Sequence, residues 1–466
     1  MQHVTKRACD IFLLGAMAAI AARKQTFTSL VSFDGPNGAN PLYGSLVQGV
    51  DGNFYGTTQR GESAPQGTTY FGTIFVMTPQ AQLRTLYGFA NQITEGSGPD
   101  GGLIVAPNGL LYGTTVDGGA NVQGNVFQVT PGGVLTTLHN FDHTDGAAPA
   151  DGLVQAFNGM LYGTTSQGGA GSLGTVFRLT TGGTLATLYS FSGPDGAESW
   201  TGLVQAANGR LYGTTHGGGA HECGTIFTVS PSGAFKTLHN FNNKDGHGPA
   251  GALIQGSDGN FYGTTSSGGA NGYGTVFQIT AAGAFTTLHS FANTDGAAPT
   301  GALVEGTDGN FYGTTSEGGT NGNNGTIFQF TPSGTLTNLH DFDGADGATP
   351  FGGLVQGTDG NFYGTTNSGG SRTFYGTVFR LSMGLGPFVA TLPTFGKVGA
   401  DVTILGTDLT GAASVTFNGV AASFTVVSPT AIKTTVPSAA TTGMLQVVTR
   451  TGTLASNARF QVLRQQ

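Results

Sequence analysis

The sequence predicts an all-β fold in which one short unit is repeated in tandem. Seven copies of a unit of roughly 50 residues run from Thr26 to Leu381. The chain of 466 residues contains 82 glycines and 18 prolines, yet 38 % of its residues are hydrophobic. Because this apolar surface is enough to build cores, the glycines indicate many tight turns and not disorder. Apolar residues never follow a helical period over three turns, so we expect strands and not helices.

Each unit carries the signature Tyr-Gly-Thr-Thr and, further along, an aliphatic residue followed by phenylalanine. The signature tyrosines are Tyr55, Tyr112, Tyr162, Tyr212, Tyr262, Tyr312 and Tyr363. The phenylalanines are Phe75, Phe127, Phe177, Phe227, Phe277, Phe328 and Phe379. A side chain that every unit repeats indicates packing, so we expect both series to fill the space between neighbouring units.

The fifth unit shows why each copy predicts four strands. Residues 253–255 form a short apolar strand, the turn at 258–260 is Asp-Gly-Asn, and residues 261–265 form a second strand. After a glycine-rich loop, residues 274–280 form a third strand and residues 285–291 a fourth. Units of this size bury their apolar faces only against their neighbours, as in a solenoid or a propeller.

The two ends of the repeat region distinguish an open stack from a closed ring. The seventh unit stops at Leu381 without a fourth strand, whereas residues 28–33 match the fourth strand at residues 286–291 and precede any first strand. Pairing this orphan strand with the incomplete unit closes the ring and leaves no free repeat terminus. We therefore predict a seven-bladed β-propeller over residues 25–382, closed by three strands plus one N-terminal strand.

The loops of such a ring differ between its two ends. In an up-and-down blade, the loop between strands two and three and the loop to the next blade emerge at the same end, and these are the long, variable loops here. The opposite end carries tight turns, such as those at residues 308–310 and 332–334. We expect a ligand to bind at the long-loop face or at the mouth of the central channel.

The first two dozen residues stand outside the repeat and predict a secretory signal. Lys6 and Arg7 precede an apolar run from Ile11 to Ala22 that ends in small residues. The run is shorter than the ~20 apolar residues of a membrane span. We expect residues 1–24 to be a signal peptide, and the alternative is an N-terminal anchor, which alone would make the membrane a partner. The expected location is extracellular, periplasmic or at the cell surface.

Composition changes again near residue 387, after a short break. Residues 387–464 are richer in Val, Ala and Thr and contain several strand-like runs. This segment resembles an IPT/TIG domain in Val402 to Leu409, in Val415 to Gly419 and in the pair Val436-Pro437. The resemblance implies an immunoglobulin-like β-sandwich that serves as a spacer or docking module.

The repeat itself is similar to the Gloeo/Verruco tandem repeat (GloVer repeat) of secreted bacterial proteins. The resemblance rests on Asp-Gly-Asn-Phe-Tyr-Gly-Thr-Thr at residues 258–265 and on Gly-Thr-Val-Phe at residues 274–277. It covers nearly the whole predicted propeller. It implies a secreted propeller of bacterial type and carries no assigned activity, so it adds no catalytic residue.

Two polar series recur at fixed positions of the unit. One fourth-strand position holds Tyr87, His139, Tyr189, His239, His289 and His340. The loop to the next unit holds a carboxylate series with one asparagine, namely Asn37, Glu95, Asp145, Asp195, Asp245, Asp295 and Asp346. We expect both series to be structural, because Asp before Gly stabilises a turn by accepting backbone N–H bonds. Calcium bound by this oxygen-rich ring is the alternative.

Departures from the repeat cluster in the fourth unit and predict a ligand-binding site. The candidate residues for binding are Glu198, Trp200, His216, His221, Glu222 and His247. The loops that carry them emerge at one end of the predicted ring, where Trp200 can stack on a sugar ring and the imidazoles can do acid–base work. His216, His221 and Cys223 are candidate ligands of Zn²⁺. In the alternative interpretation, Cys223 is a small buried hydrophobe and the loop histidines are solvated.

Two function classes remain open. The first is a non-catalytic secreted binding or scaffold protein for a glycan or protein ligand, which the charged fraction of 9 % and the missing nucleophile motifs favour. The second is a polysaccharide-active hydrolase or lyase, for which Glu305 is the candidate catalytic residue because other units have Gln there. The net charge of −8 argues against nucleic acid as a partner. We expect a monomer.

Overall fold

The computed structural model describes residues 25–61 and 70–464, so the predicted signal at residues 1–24 lies outside the described residues. The described residues form an all-β, propeller-like repeat region followed by a second β-rich region. Seven four-stranded antiparallel sheets are built from residues 26–382, and two further four-stranded sheets and a two-stranded sheet follow. Among the described residues, no helix has the length and apolar character needed to span a membrane.

Each sheet of the repeat region has the same four strands. The first strands are Val47–Gln48, Ile104–Val105, Val154–Gln155, Val204–Gln205, Ile254–Gln255, Val304–Glu305 and Val355–Gln356. The second strands are Phe54–Thr58, Leu111–Thr115, Leu161–Thr165, Leu211–Thr215, Phe261–Thr265, Phe311–Thr315 and Phe362–Thr366. The third strands are Thr73–Met77, Asn125–Val129, Thr175–Leu179, Thr225–Val229, Thr275–Ile279, Thr326–Phe330 and Thr377–Ser382. The fourth strands are Leu83–Gly88, Leu135–Asn140, Leu185–Ser190, Phe235–Asn240, Phe285–Ser290, Leu336–Asp341 and, for the last sheet, Thr26–Ser32.

The N-terminal strand completes the last sheet. Thr26–Ser32 pairs antiparallel with Thr377–Ser382, and Val31 lies opposite Val378. The predicted pairing of these two strands is therefore confirmed. The first and seventh sheets also meet at their inner strands, where the Thr358 N–H donates to Gln48 Oε1 at 2.9 Å.

Aromatic side chains fill the space between neighbouring sheets. Tyr262 and Phe277 are fully buried, and the Tyr262 ring lies 4.1 Å from the ring of Phe311 in the next sheet. Gly263 is required beside Tyr262, because a Cβ there would lie 2.6 Å from the Phe277 ring. The prediction that the repeated Tyr and Phe series pack between units is confirmed, and each such burial contributes about 1.5–3 kcal/mol.

The C-terminal region packs two sheets face to face. Its strands are Ala390–Leu392, Phe395–Lys397, Asp401–Leu405, Ser414–Phe417, Val420–Ala422, Phe424–Ser428, Ala431–Thr435, Leu445–Thr449, Gly452–Ala455 and Gln461–Leu463. Ile404 and Ile432 of one sheet share a buried core with Phe417 and Val447 of the other. Buried and exposed residues alternate along Leu445–Thr449, as expected for a strand with one face on this core.

The C-terminal region rests on the tight-turn end of the repeat region. Thr430 Oγ1 donates to the Val50 carbonyl at 3.3 Å, and the Phe395 ring lies 4.8 Å from the Phe157 ring. The hydroxyls of Thr358 and Thr407 are 3.3 Å apart. The three contacted repeat residues precede second strands of the first, third and seventh sheets.

Two short helical turns depart from the expectation of strands alone. Gln92–Glu95 forms one α-helical turn, because the Asn91 side chain accepts hydrogen bonds from the N–H groups of Ile93 and Thr94. Leu409–Gly411 forms a 3₁₀ turn. Elements this short carry no apolar period, so periodicity does not reveal them.

Candidate functional site

The two repeated polar series bond to each other. The imidazole Nε2 of the histidine series lies 2.7–3.1 Å from a carboxylate oxygen in four pairs, His139–Asp145, His239–Asp245, His289–Asp295 and His340–Asp346. Tyr189 donates to Asp195 in the same way. The second carboxylate oxygen accepts turn N–H groups, for example from Ala292 to Asp295 at 2.8 Å. Within the described residues, no group of three or more His, Cys, Asp or Glu side chains is arranged to hold a metal ion.

Three of the predicted site residues form one cluster. The Trp200 indole stacks on the His216 imidazole with ring centroids 3.9 Å apart and an interplanar angle of 19°. The His247 ring, from the next repeat, lies 6.4 Å from His216. Burial, and secondarily the nearby His247, lower the pKa of His216 to about 4. His216 is therefore neutral near pH 7, so its stacking on the indole does not bury a charge.

The remaining candidates of the fourth repeat do not join this cluster as side chains. The Glu198 carbonyl accepts a hydrogen bond from the His216 N–H at 2.9 Å, but the Glu198 side chain is exposed. His221 and Glu222 are exposed loop residues. Cys223 packs against an apolar cluster, and its thiol donates to the His221 carbonyl at 3.1 Å. The structure does not bring His216, His221 and Cys223 together as zinc ligands.

Trp200 also lines a cavity at the long-loop end of the inner strands. The cavity has a volume of about 220 Å³ and is bounded by residues that precede the first strands of the first six repeats. Tyr43 and Trp200 line this cavity, and each residue is 37 % exposed overall. Its wall contains one carboxylate, that of Asp151.

Asp151 is held by backbone N–H groups of three consecutive repeats. Its two oxygens accept hydrogen bonds of 2.6 Å from the N–H groups of Gly152 and Gly202. Burial raises the pKa of Asp151, while the N–H groups of Gly152, Gly202 and Gly102 lower it by favouring the charged form. Asp151 is enclosed by protein and lines the cavity, where it is the one acidic side chain among the described lining residues.

Asp100 lines a second, larger cavity between long loops of the first, second and seventh repeats. This cavity has a volume of about 830 Å³ and is also lined by Gln59, Arg60 and Asp117. Gln59 donates to Asp100 Oδ2 at 3.4 Å, whereas Oδ1 is shielded from solvent and has no hydrogen-bond partner in the described part of the chain. Burial raises the pKa of Asp100 to about 7, helped by the nearby charge of Asp117.

Glu305 serves the packing of the inner strands. Its carboxylate accepts hydrogen bonds from the Ser257 N–H at 2.8 Å and from the Ser257 hydroxyl at 2.5 Å. Gln356 makes the equivalent contact with the Thr307 N–H at 3.0 Å. Glu305 therefore takes the place of a structural glutamine, at the tight-turn end and away from the cavity that Trp200 lines.

Asp100 and Asp151 were not among the residues predicted from the sequence. Five other repeats have glycine at the position of Asp151, and the fourth repeat has Thr201. The glycines are Gly44, Gly101, Gly251, Gly301 and Gly352. A comparison of this short segment across the repeats singles out Asp151, whereas the longer loops draw attention because they vary more. Asp100 follows a proline at a position where the residue differs among the repeats. Its sequence therefore does not distinguish it, and only its burial in the structure does.

Comparison with known proteins addresses the repeat and the fold. The family described as the Gloeobacter/Verrucomicrobia repeat matches four overlapping stretches, residues 13–156, 63–256, 120–319 and 224–425. No curated protein matches this sequence.

Two solved structures illustrate the similarity in fold. The extracellular domain of a protein described as a hybrid two-component system from B. thetaiotaomicron is similar, with a TM-score of 0.50 and 13 % identity, over 94 % of this chain. This chain spans 55 % of that structure. The periplasmic gluconolactonase of Pseudomonas aeruginosa has a TM-score of 0.46 and 15 % identity, over 70 % of this chain and 98 % of that one. At 13 % identity, the likeness to the first structure concerns the fold alone.

Proposed function

The chain belongs to the Gloeobacter/Verrucomicrobia repeat family, and we propose that it is a secreted or cell-surface binding protein whose long-loop face recognises a glycan. In this proposal residues 25–382 are a seven-bladed β-propeller, and residues 387–464 are an IPT/TIG-like, immunoglobulin-like sandwich that serves as a spacer. Residues 1–24 are the signal that exports a monomeric chain. The long-loop candidates Glu198, His221 and Glu222 form the outer part of the binding face.

The observation that carries this proposal is the partly exposed ring of Trp200 at the cavity. Trp200 is the only tryptophan of the chain and is 37 % exposed, and one face of its ring is supported by His216. Aromatic rings held in this way offer large contact area together with a polar edge. The cavity is smaller than the ~300–1,000 Å³ of typical ligand pockets, which favours one ring-sized group over a protein segment.

A polysaccharide-active hydrolase or lyase is the second candidate, and Asp100 is the observation that favours it. A carboxyl whose pKa is about 7 is protonated in about half of the molecules at pH 7, and the protonated form can donate to a leaving group. Glu305 does not support this candidate, because both of its oxygens are used by Ser257.

A glycan array combined with a reducing-sugar release assay on the full chain tests the proposal. We expect the wild-type chain to bind a restricted set of glycans without releasing reducing sugar. Trp200→Ala is expected to lose this binding, whereas Tyr273→Ala is the matched control, because Tyr273 is an exposed aromatic of the next repeat and is absent from the cavity. A wild-type chain that binds no glycan contradicts the proposal. Sugar release that disappears in Asp100→Asn establishes the second candidate instead.

A further inference from the structure

The residues just before the first strands form an inner rim around the cavity. We define the inner rim as the equivalent residues Ser45, Gly102, Gly152, Gly202, Ala252, Ala302 and Gly353. These segments approach each other closely around the ring, since a Cβ on Gly301 would lie 2.7 Å from the Gly353 N and one on Gly251 3.2 Å from the Ala302 N. Backbone N–H groups of the rim are therefore concentrated in a small space.

Asp151 uses one side of this rim and leaves the other side free. Its carboxyl group accepts hydrogen bonds from the N–H groups of Gly152 and Gly202. The Gly102 N–H also favours the charged form of this group. Across the cavity, the N–H groups of Ser45, Ala252 and Ala302 make no hydrogen bond within residues 25–61 and 70–464. Ser45, Ala252 and Ala302 line the cavity, as Gly152 and Gly202 do. A carboxylate has about four acceptor positions, so Asp151 keeps one for a ligand.

These groups match the two needs of a sugar hydroxyl. A hydroxyl donates one hydrogen bond and accepts others, so it can donate to Asp151 while another hydroxyl of the same ring accepts from a rim N–H. The described residues of the cavity lining include no Lys, Arg or His, so an anionic ligand would find no charge partner there. The aromatic walls provided by Tyr43 and Trp200 suit the apolar face of a sugar ring.

The size of the cavity limits which part of a glycan can enter. Its volume of about 220 Å³ has room for one ring-sized group. This size favours a chain end over an internal residue, because an internal residue carries a further sugar on each side.

We propose that the inner rim is the recognition site for one uncharged terminal sugar of a glycan, with Asp151 as the acceptor of a sugar hydroxyl and the rim N–H groups as donors. This inference rests on the glycan-binding function proposed above and adds the part of the glycan that is recognised. Asp151 is a specificity-determining residue in this site.

The emission of Trp200 provides a direct readout, because it is the only tryptophan of the chain and lines the cavity. The full chain is titrated with methyl glycosides of neutral hexoses and pentoses, with short oligosaccharides ending in them, and with the corresponding uronic acids. We expect emission to change with neutral sugars and not with uronic acids. An equal response to both classes, or none to either sugar class, contradicts the inference.

Two variants separate recognition from stability. Asp151→Gly installs the residue that most other repeats have, so the fold is expected to be kept, and Asp151→Asn retains the size of the side chain. We expect both variants to lose about tenfold to a hundredfold in sugar affinity, as for a buried hydroxyl left without its hydrogen-bond partner. Thermal unfolding followed by circular dichroism checks that each variant is folded.

The outcomes distinguish this inference from the proposed function. If the wild-type chain binds array glycans and Trp200→Ala abolishes binding, but Asp151→Asn binds as the wild type does, the inference is wrong and the function stands. If the wild-type chain binds no glycan on the array, the function itself is wrong. If glycans with blocked or charged chain ends bind as well as those with neutral ends, terminal recognition is wrong.

Discussion

The outer edge and the inner rim of the repeat region use the same scaffold in opposite ways. At the outer edge, His289 faces Asp295 at 2.9 Å, and the same pairing recurs in other repeats. In the two residues that precede each member of the inner rim, equivalent positions hold different residues, among them Asp151 and Trp200. Where every repeat needs the same contact, the residue serves packing. Where one repeat departs from the others without loss of the sheet, the position is free to serve a ligand.

The seventh repeat shows that the outer pairs vary together. Val31 stands there in place of histidine, and Asn37 stands in place of the carboxylate. Asn37 still accepts the turn hydrogen bond from the Asp34 N–H at 3.0 Å, so the turn persists without the charge. The carboxylate is thus needed where an imidazole or phenol accompanies it, and the amide is sufficient where the partner is aliphatic.

The largest expected contrast is in stability between a repeated and an unrepeated aromatic residue. Phe277→Ala removes a fully buried ring that packs 5.3 Å from Phe241, so we expect unfolding free energy to fall by about 3–5 kcal/mol. Trp200→Ala removes a partly exposed ring, and a loss below about 1.5 kcal/mol is expected. Denaturant unfolding of both variants measures the difference. Equal losses would mean that Trp200 belongs to the packing and not to a ligand site.

The next effect concerns the pH dependence that Asp100 introduces. Its folded pKa of about 7 lies above the ordinary value of 3.8, so the native state binds more protons and unfolding free energy falls as pH rises from about 4 to 7. We expect Asp100→Asn to remove this slope and to stabilise the chain at pH 8 by on the order of 2 kcal/mol. Asp117→Asn is the control, because it removes a nearby charge and should lower the Asp100 pKa. A wild-type slope that persists in Asp100→Asn contradicts the assignment.

A smaller effect of opposite sign is expected from His216. Its folded pKa of about 4 lies below 6.5, so the stability that it contributes is present above pH 6.5 and is lost as pH falls toward 4. After allowance for partial exposure, we expect a loss on the order of 1 kcal/mol. Ring-proton chemical shifts of His216 measure the titration. His216→Ser provides the matched control, since Ser166 and Ser266 occupy this position in other repeats.

How much the sequence predicts follows from the same comparison. The burial of Tyr262 and the pairing of Val31 with Val378 were predictable, because repetition and a missing strand leave few alternatives. The stacking of Trp200 on His216 was predictable as proximity, since both loops emerge at one end. The environment of Asp151 was not, because its partners are backbone N–H groups supplied by neighbouring repeats, and backbone geometry leaves no residue signature.

The smallest expected effect tests whether the outer pairs are coupled. His289→Val and Asp295→Asn each leave one partner without its hydrogen bond, whereas the double variant reproduces the pair Val31 and Asn37 of the seventh repeat. Because both side chains remain partly exposed, we expect each single change to cost about 1 kcal/mol and the double variant to recover roughly 0.5–1 kcal/mol of the sum. Thermal unfolding of the wild-type chain, the two single variants and the double variant measures the coupling free energy between the two side chains. If the two losses simply add, the joint replacement in the seventh repeat does not reflect the hydrogen bond, and the carboxylates of the outer edge are held by their turns alone.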